Sequence, residues 1–580
     1  MNTYRDIPIK SVRRLLVCCL LLPLIVTSCS RPPAYTPEDP HWRDNDTKNI
    51  DDPGKRKPSL IWETVTRTSF EQAEQLLDFP RDVRKITGNP RQSLNINSFD
   101  EVPDCAWYTN RHARQPFTAE QFKHGAVIGS GPDTSGSWTV VQAKVQGATP
   151  GFWIEDAAGD LYILKFDAAG YPELQTGAAA ISSRYFYAMG YNVPQETIVY
   201  WRPENLHVKE DLRFKDRDGV NKEFTQQSLE EVLARVDRMP DGRIRSLASK
   251  ALPNVRGPFS YRGTRDGDPN DWCPHQHRRE LRGLYVFASL INHWDIKDQN
   301  TLDIYVEEDG RQFLKHYLID FGNTFGARGS TPQRAYDGYR NSFDLRDALV
   351  SLFTLGLKQW PWEDAESSFP HPSIGPYESN IFNPGKWDAI YPIPSFEIMT
   401  DRDAFWAAKQ VMSLRDDDLR ALIEAAQYSD PEAAAYLLET MKARRDKIGS
   451  YWFGKVNPLD RFKLTRTDDA VEISFDDLAV AYGLELSGTS RYRYQVKYDG
   501  STVISDRPFD GTKIRLDRQQ LADLTSALSG VSTGDDPKKH LVEINIQTKR
   551  FGSWSQPVLL WLWYHPDNAR FQLVGIEHLD

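Results

Sequence analysis

Two short stretches of the sequence hold side chains that suit work on phosphates. HWDIKDQN spans residues 293–300, and LIDFG follows at 318–322. Asp295 and Asp320 supply carboxylates and Asn300 supplies an amide, and such oxygens are the ligands that Mg²⁺ takes in proteins. Phosphoryl transfer needs little more than metal ligands, a carboxylate near the accepting hydroxyl and a cation on the phosphates. The stretches therefore indicate a site for a metal-bound phosphate compound.

Two lysines are candidates for the cation. Lys165 ends the apolar run LYILK (161–165), and a buried ammonium is costly unless an anion lies beside it. An edge-strand position that faces water is the alternative for Lys165. Lys297 lies two residues after Asp295, in the same loop.

The pattern H-x-D-x-K-x-x-N resembles the catalytic loop of protein kinases, and LIDFG resembles their metal-binding loop. The resemblance implies that Asp295 is the catalytic base and that Lys297 neutralises the transferring phosphate. It also implies that Asn300 and Asp320 bind Mg²⁺ and that Lys165 binds the phosphates of ATP.

The spacing of the two motifs is particular. Nineteen residues separate Asn300 from Asp320, and TLDIYV and QFLKHYLID within them predict a hairpin. This arrangement resembles the atypical branch of the superfamily, which includes toxin-type serine, phosphatidylinositol, spore-coat and secretory-pathway kinases. The resemblance covers about 125–450 and implies a two-lobed fold, with an antiparallel sheet in the N-lobe and a mostly helical C-lobe.

Two parts depart from the kinase pattern. The resemblance implies a glutamate on the helix after Lys165 that holds this lysine at the nucleotide, and Glu173 is the only candidate. Glu173 lies in the first turn, however, and Ala179 stands where related kinases carry the glutamate. The stretch VIGSGPDTSGSW (127–138) supplies Gly129 and Gly131, whose backbone amides suit phosphates, without a clean G-x-G-x-x-G. An ordinary glycine turn is the alternative there.

The order of predicted elements gives an α+β protein with a C-terminal all-β sandwich-like domain. Three strands, a helix over about 172–189 and a fourth strand predict the N-lobe, and residues 225–300 are predicted to be helical. Further helices are predicted at 69–79, 342–358, 402–413, 416–427 and 431–449. The predicted parts are a signal peptide (1–28), a flexible tether (29–58), an N-terminal extension (59–124), the N-lobe (125–205), the C-lobe (206–455) and the β-sandwich-like domain (456–580).

The N-terminus is typical of an exported protein. Basic residues precede LLVCCLLLPLIV (15–26), which has signal-peptide length and is too short to span a bilayer comfortably. Val-Thr-Ser-Cys (26–29) resembles the lipobox of bacterial lipoproteins, which implies lipidation of Cys29 and a membrane anchor in the cell envelope. Ser30 favours the outer membrane where the host has one. A plain signal peptide or a short anchor is the alternative.

Other features admit several readings. A formal net charge of −10 without a long basic run excludes a nucleic-acid partner. Cys105 and Cys273 either pair or stay free, and Cys273 with two nearby histidines allows a zinc reading. His293 is predicted to brace the catalytic loop, and VLLWLWYH (558–565) to form sandwich core, with carbohydrate binding as the alternative. The arginines near the motifs clamp a phosphate or pair with local carboxylates: Arg262, Arg265, Arg278, Arg279 and Arg282.

Three functions are therefore open. The first is an atypical kinase-like phosphotransferase with an unknown acceptor. The second is a kinase-fold binding or scaffold lipoprotein without catalysis, which the missing helix glutamate and the ATP-poor compartment favour. The third is nucleotidyl transfer with the same metal ligands.

Overall fold

The computed structural model describes residues 35–38, 45–57, 66, 74, 78–143, 151–215, 220–329, 331–342, 350–355, 357–360, 362–363, 369–467, 469–486, 488–550 and 552–580. The predicted signal peptide, Cys29, most of the predicted helix at 69–79 and part of that at 342–358 lie outside these residues. Among the helices of the described part, none combines the length and apolar character that crossing a bilayer requires.

The smaller lobe is built on a six-stranded sheet. Its chain order is α1 Phe79–Ile86, α2 Ala119–His124, β1 Trp138–Ala143, β2 Gly151–Glu155, β3 Leu161–Phe166, α3 Leu174–Ala188, β4 Glu196–Trp201, β5 Leu206–Val208, β6 Arg213–Lys215, β7 Asn221–Glu223, α4 Gln226–Leu233 and β8 Ile244–Lys250. The strands lie in the order β4-β8-β3-β2-β1-β5, and only β1 and β5 are parallel among them. The predicted β-β-β-α-β order is confirmed.

The strand β8 corrects two predictions. Residues 225–300 are not helical throughout, and the sheet does not end at 205, because β8 lies between β3 and β4. The strand is buried on both faces, so it lacks the alternation of a half-exposed strand. Its polar residues have partners instead: Arg245 Nε donates to Thr176 Oγ1 at 2.9 Å, and Trp201 Nε1 donates to Ser246 Oγ at 2.7 Å.

The larger lobe is mainly helical. It comprises β9 Val255–Gly257, α5 Arg279–Ile291, β10 Thr301–Glu308, β11 Arg311–Leu318, β12 Ala327–Arg328, β13 Thr331–Pro332, α6 Pro394–Glu397, α7 Asp401–Met412, α8 Asp416–Glu424 and α9 Pro431–Phe453. The predicted hairpin is β10–β11, and α9 begins at Pro431 after the N-cap Asp430, as predicted. One apolar core joins α3 to α5, α7, α8 and α9, and Trp107 and Phe122 of the predicted extension belong to it.

The C-terminal part has a core of its own. It comprises β14 Leu459–Arg466, β15 Val471–Asp477, α10 Leu478–Ala481, β16 Arg491–Tyr498, β17 Ser501–Phe509, β18 Lys513–Leu516, α11 Arg518–Ala527, β19 Leu541–Arg550, β20 Ser553–Trp554, β21 Val558–His565 and β22 Arg570–His578. The sheets β14-β15-β18 and β17-β16-β19-β21-β22 contribute side chains to this one core. The fold class is therefore α+β with a C-terminal β domain, as predicted.

The aromatic strand β21 alternates between two faces. Val558, Leu560 and Leu562 are buried in the core of the β domain, as predicted for this run. The tryptophans point to the other face, so the prediction is wrong for them. Trp561 stacks on Tyr35 with 5.0 Å between ring centroids, and Trp563 stacks on a histidine of the same domain.

The segment 45–57 is bound to the folded body. Ile50 N donates to Gln312 O on β11, and Arg56 N donates to Arg256 O on β9, each at 2.8 Å. These strands are the two edges of the sheet β11-β10-β9, so the segment crosses from one edge to the other. The predicted flexible tether over 29–58 is wrong here. A composition rich in Pro, Asp and Lys does not prevent an extended segment from pairing its backbone with open sheet edges.

The arginines near the motifs pair with carboxylates, which is one of the two predicted alternatives; the other was that they clamp a phosphate. Arg278, Arg279 and Arg282 are buried in a charged network that joins the segment before α2 to α5 and α7. The pairs of the five arginines are Arg262–Glu74, Arg265–Asp303, Arg278–Glu280, Arg278–Asp46, Arg278–Asp271, Arg279–Asp100, Arg279–Asp403 and Arg282–Asp403.

Candidate active site

The catalytic-loop motif folds around the carboxylate of Asp295. Helix α5 ends at Ile291 with the C-cap Asn292 in a left-handed conformation, and the extended Lys297 leads into a 3₁₀ turn at Asp298–Asn300. Lys297 Nζ donates to both carboxylate oxygens of Asp295, at 2.8 and 2.9 Å. Asn300 Nδ2 donates to the backbone oxygen of Asp295 at 2.8 Å and to its Oδ2 at 3.2 Å. Three of the predicted site residues thus meet in one hydrogen-bonded group.

Asn323 is a fourth member of this group, and the sequence reasoning missed it. Its Nδ2 donates to Asp295 Oδ2 at 2.7 Å, while its Oδ1 accepts from Gly329 N at 2.7 Å. The residue follows LIDFG directly, so its amide type and position were a usable signal. It holds the carboxylate of Asp295 from a second segment of the chain.

Lys165 and Asp320 form the second half of the site. Lys165 lies on β3 with 6% of its surface exposed, and its Nζ is 2.7 Å from Asp320 Oδ1. Burial lowers the pKa of Lys165, but the charges of Asp320 and Glu196 outweigh burial and raise it above its ordinary value. The lysine is therefore charged at neutral pH, and the water-facing alternative is wrong.

The two halves are joined through the backbone. Ile319 N donates to Asn300 O at 3.0 Å, directly before Asp320. Asp320 has a φ of 63°, a left-handed conformation in which Asp is found several times more often than most residues. Such backbone conformations concentrate at functional sites. Asn300 and Asp320, the two predicted metal ligands, therefore lie on neighbouring segments.

Glu196 is a further residue that sequence reasoning missed. It opens β4 with 1% of its surface exposed, and burial raises its pKa to about 7 against the opposing effect of Lys165. The signal was a glutamate at the start of an apolar strand, ETIVYW. This signal points to Lys165 only when β8 is known to lie between β4 and β3, and the sequence analysis did not predict β8.

The structure does not bring Glu173 to Lys165, so the prediction that this glutamate holds the lysine is wrong. Glu173 precedes α3 with a φ of 65°, and its carboxylate accepts from Ser429 N at 2.9 and 3.1 Å. It connects α3 to the turn after α8. Ala179, at the expected position of the kinase glutamate, is fully buried in the apolar core.

Gly129 and Gly131 precede β1 and lie beside the start of β4. A Cβ at Gly131 would lie 3.0 Å from Thr197 Cβ, whereas nothing lies within 4 Å of one at Gly129. The two glycines are thus at the edge of the sheet, two strands away from Lys165. The strand partner of Lys165 is Gly151, the first residue of β2. Residues 144–150, which precede it, lie outside the described residues.

His293 is buried between two phenylalanines. Its ring centroid is 5.8 Å from that of Phe186 on α3 and 5.9 Å from that of Phe321, and these two phenylalanines stack at 5.3 Å. Burial lowers the pKa of His293 to about 4, so the ring is neutral at physiological pH. The predicted bracing role is confirmed, since the ring links the catalytic loop, α3 and the Asp320 segment.

The donor set suits a magnesium nucleotide. Within the part of the chain that the structure describes, no three His, Cys, Asp or Glu side chains group to hold a metal ion. Asp320, whose side chain is 37% exposed, and the amide of Asn300 thus supply one carboxylate and one neutral oxygen. Mg²⁺ is commonly held by one or two protein ligands, with phosphate and water oxygens completing the octahedron. The residues fit that arrangement, and Lys165 adds a cation for the phosphates.

The cysteine and histidine candidates have other partners. Cys105 and Cys273 are both free and buried. His275 Nε2 lies 2.7 Å from Asp271 Oδ2, and His277 Nδ1 lies 2.9 Å from Arg282. These contacts tie the histidines to the charged network rather than to Cys273.

The comparisons with known proteins concern structure alone. No family model and no curated protein matches the sequence. Three of the similar solved structures are kinases. The Golgi casein kinase with Mn/ADP bound is 11% identical over 71% of this chain and 94% of its own, with a TM-score of 0.27. A second structure of the Golgi casein kinase is 10% identical over 73% and 96%, and the Helicobacter pylori proinflammatory kinase CtkA is 9% identical over 55% and 97%, both with TM-scores of 0.28.

The chain has a two-lobed, kinase-like fold. The arrangement of its two lobes around the site shows this, whereas these solved structures, at most 11% identical with TM-scores no higher than 0.28, do not. The sheet lobe carries Lys165 on its third strand, and the helical lobe carries Asp295, Asn300 and Asp320 at the ends of a helix and a hairpin. The sheet lobe and the helical lobe meet where Lys165 binds Asp320.

Proposed function

We propose that the chain is a kinase-like phosphotransferase that uses ATP and Mg²⁺ to phosphorylate an acceptor hydroxyl. The observation that carries the proposal is the 2.7 Å contact between Lys165 and Asp320, one backbone hydrogen bond away from the group around Asp295. A buried lysine, two oxygen ligands and a fixed carboxylate are the parts that phosphoryl transfer requires.

Each residue then has a role that its contacts support. Asp295 accepts the proton of the acceptor hydroxyl, and Asn323 and Lys297 hold its carboxylate in one orientation. Asp320 and Asn300 would hold the metal, and Lys165 would hold phosphate oxygens. When bound, the metal nucleotide supplies the phosphoryl group and neutralises its charge. Lys297, which is partly exposed beside Asp295, compensates the charge that develops during transfer.

The second candidate is a kinase-fold binding module without transfer activity. One observation favours it: α3 carries Ala179, buried in the apolar core, where the lysine-binding glutamate is expected. Nucleotidyl transfer would use the same metal ligands. It differs from phosphoryl transfer in moving the α-phosphate of ATP instead of the γ-phosphate to the acceptor.

The test uses the full chain in detergent. ATP with Mg²⁺ is expected to raise its melting temperature, and Asp320→Ala is expected to remove that shift. Asp510→Ala is the control, because this carboxylate is 96% exposed on the β domain. The absence of a shift at millimolar nucleotide in the wild type would exclude both transfer reactions.

Transfer itself is tested with labelled ATP and the chain as its own acceptor, or with added peptides, sugars and lipids. Phosphoryl transfer moves the γ label, and nucleotidyl transfer moves the α label. Asp295→Asn should bind nucleotide with wild-type affinity and lose transfer at least about 100-fold, the scale of a lost general base. Binding without transfer of either label in the wild type would favour the binding module.

For the location, we propose a lipid anchor at Cys29 in the cell envelope, with the outer membrane as the site in a host that has one. The lipobox Val-Thr-Ser-Cys supports it. Tyr35 follows six residues after Cys29 and stacks on Trp561. Six extended residues span at most about 20 Å, so the anchor would keep the β domain close to the membrane surface.

A further inference from the structure

Lys165 lies near two carboxylates, and we propose that Glu196 is the positioning residue that holds Lys165 when Asp320 binds the metal. The inference rests on the proposed function, because it needs a metal at Asp320. Glu196 on β4 would then hold Lys165, the role for which the sequence suggested Glu173 at the start of α3.

The strand register places Glu196 and Lys165 on one face of the sheet. Lys165 is opposite Leu247, which is opposite Ile198, and Glu196 lies two residues before Ile198 on β4. Side chains two residues apart on a strand share a face. The two Cα atoms are thus two strands apart, about 9.6 Å, and two residues along, about 6.7 Å. Both side chains are long enough to approach each other across that gap.

Glu196 is buried, and the side-chain hydroxyl of Ser249, its partner on β8, is the hydrogen-bonding group beside its carboxylate. No guanidinium or ammonium group among the residues that the structure describes donates a hydrogen bond to this carboxylate. The charged groups that face it are Lys165 from β3, Asp320 from the segment after β11 and Arg184 from α3. Arg184 Nη1 donates to the backbone oxygens of Ala180 and Glu196, at 2.9 and 3.2 Å. The carboxylate of Glu196 can therefore still accept a hydrogen bond from a cation, and Lys165 lies on the same face of the sheet.

The chemistry of Asp320 supplies the reason for an exchange. A carboxylate oxygen that binds Mg²⁺ no longer accepts the same charge-assisted hydrogen bond from an ammonium group. Mg²⁺ and Lys165 therefore compete for the carboxylate of Asp320. A buried ammonium released from Asp320 needs another anion. Glu196 supplies it within the same buried space. Lys165 would then stay oriented toward the phosphates instead of returning to Asp320.

The experiment titrates Mg²⁺ against the full chain with a fluorescent, non-hydrolysable ATP analogue. Glu196→Gln keeps the volume and removes the charge, and it is expected to raise the half-saturating Mg²⁺ concentration about tenfold, because Lys165 then competes for Asp320 throughout. Glu196→Asp restores the charge and should return the value to within about threefold of the wild type. Glu155→Gln, on the exposed surface of β2, is the control and should leave it unchanged.

The melting temperature without ligand separates this role from a structural one. Glu196→Gln removes a buried charge to which no cation of the described residues donates a hydrogen bond, so this melting temperature should stay unchanged or rise. Wild-type Mg²⁺ dependence in the Gln variant overturns the inference, as does a loss that Asp does not restore. A wild-type chain that binds no analogue overturns the proposed function, and this inference with it. If the wild type binds the analogue and Glu196→Gln has the same Mg²⁺ dependence, the inference is overturned but the proposed function is not.

Discussion

The charged network behind the site gives a prediction that does not depend on catalysis. Asp403, fully buried near the start of α7, accepts from Arg279 Nε at 3.0 Å, Arg282 Nη1 at 2.8 Å and Ser93 Oγ at 2.7 Å. It also closes a capping box with Thr400 at the beginning of α7. One carboxylate thus connects α7, α5 and the segment before α2. Replacing it by alanine should destabilise the chain strongly.

The magnitude follows from what remains after Asp403→Ala. Arg279 keeps Asp100, but Arg282 keeps only two backbone carbonyls and a histidine ring as its other hydrogen-bond partners. Removing one partner of a buried pair costs about 3–5 kcal/mol, since the other charge stays buried. The total stability of a domain is about 5–15 kcal/mol, so the loss is a large part of it. At about 2 °C per kcal/mol for a large domain, the melting temperature should fall by at least about 6 °C.

The pH dependence of this loss has a definite sign. Burial raises the pKa of Asp403, but the two arginines outweigh burial and hold it below its ordinary value of 3.8. Stability from a depressed carboxylate is present above the unfolded-state pKa and is lost as pH falls through the folded-state pKa. The difference between wild type and Asp403→Ala should therefore be the same at pH 6 and pH 8.

The assay is thermal unfolding followed by tryptophan fluorescence, with Asp417→Ala as the control. Asp417 also lies in the first turn of a helix, but its side chain is 90% exposed, so its loss should stay within about 1 kcal/mol. A melting temperature for Asp403→Ala equal to that of the control would refute the reasoning. The network would then contribute no net stability, and another contact would have to hold α7 against α5.

Three further predictions concern the site and the N-terminus. Asn323→Ala should lower the transfer rate about 10–100-fold with nucleotide affinity unchanged, because a hydrogen bond to the charged Asp295 is lost; equal losses in both would contradict this role. His293 has a pKa of about 4 in place of 6.5, so its share of the stability is complete above pH 6.5 and is lost as pH falls toward 4. That share is about 3 kcal/mol, and His293→Phe should flatten the melting temperature against pH over this range. Cys29→Ser should move the protein from the membrane to the soluble fraction, and continued membrane association would exclude the lipid anchor.

The sequence predicted the chemistry of the site better than its contacts. Asp295, Asn300 and Asp320 occur in short motifs whose spacing is fixed by local backbone geometry, so one sequence suffices to find them. The second carboxylate near Lys165 is placed by strand order instead. Glu196 faces Lys165 only because β8 intervenes between their strands, and no local pattern of the sequence records that arrangement.

The errors about the fold have a similar cause. Strand β8 is central and buried on both faces, and its polar residues are satisfied by tertiary hydrogen bonds, so it has neither the alternation nor the apolar run of a typical strand. The segment 45–57 has the composition of a linker, but two open sheet edges offered its backbone partners. The structure of β8 and of segment 45–57 thus depends on residues far away in the sequence. Helix α9, capped by Asp430, and the hairpin β10–β11 depend on residues close in the sequence, and they were predicted.

The contact between Lys165 and Asp320 bears directly on whether the chain transfers phosphate. A module that only binds nucleotide would also need Asp320, the proposed metal ligand, to be accessible, but it would not need a carboxylate held in one orientation at Asp295. Here Asp320 is 37% exposed, and Asp295 is held by three donors from two segments. A carboxylate fixed in this way is organised for one orientation of a proton acceptor, which binding alone does not require. Ala179 in place of the helix glutamate therefore argues against activity only if no other carboxylate can hold Lys165. Glu196 lies on the same face of the sheet as Lys165 and can supply that carboxylate.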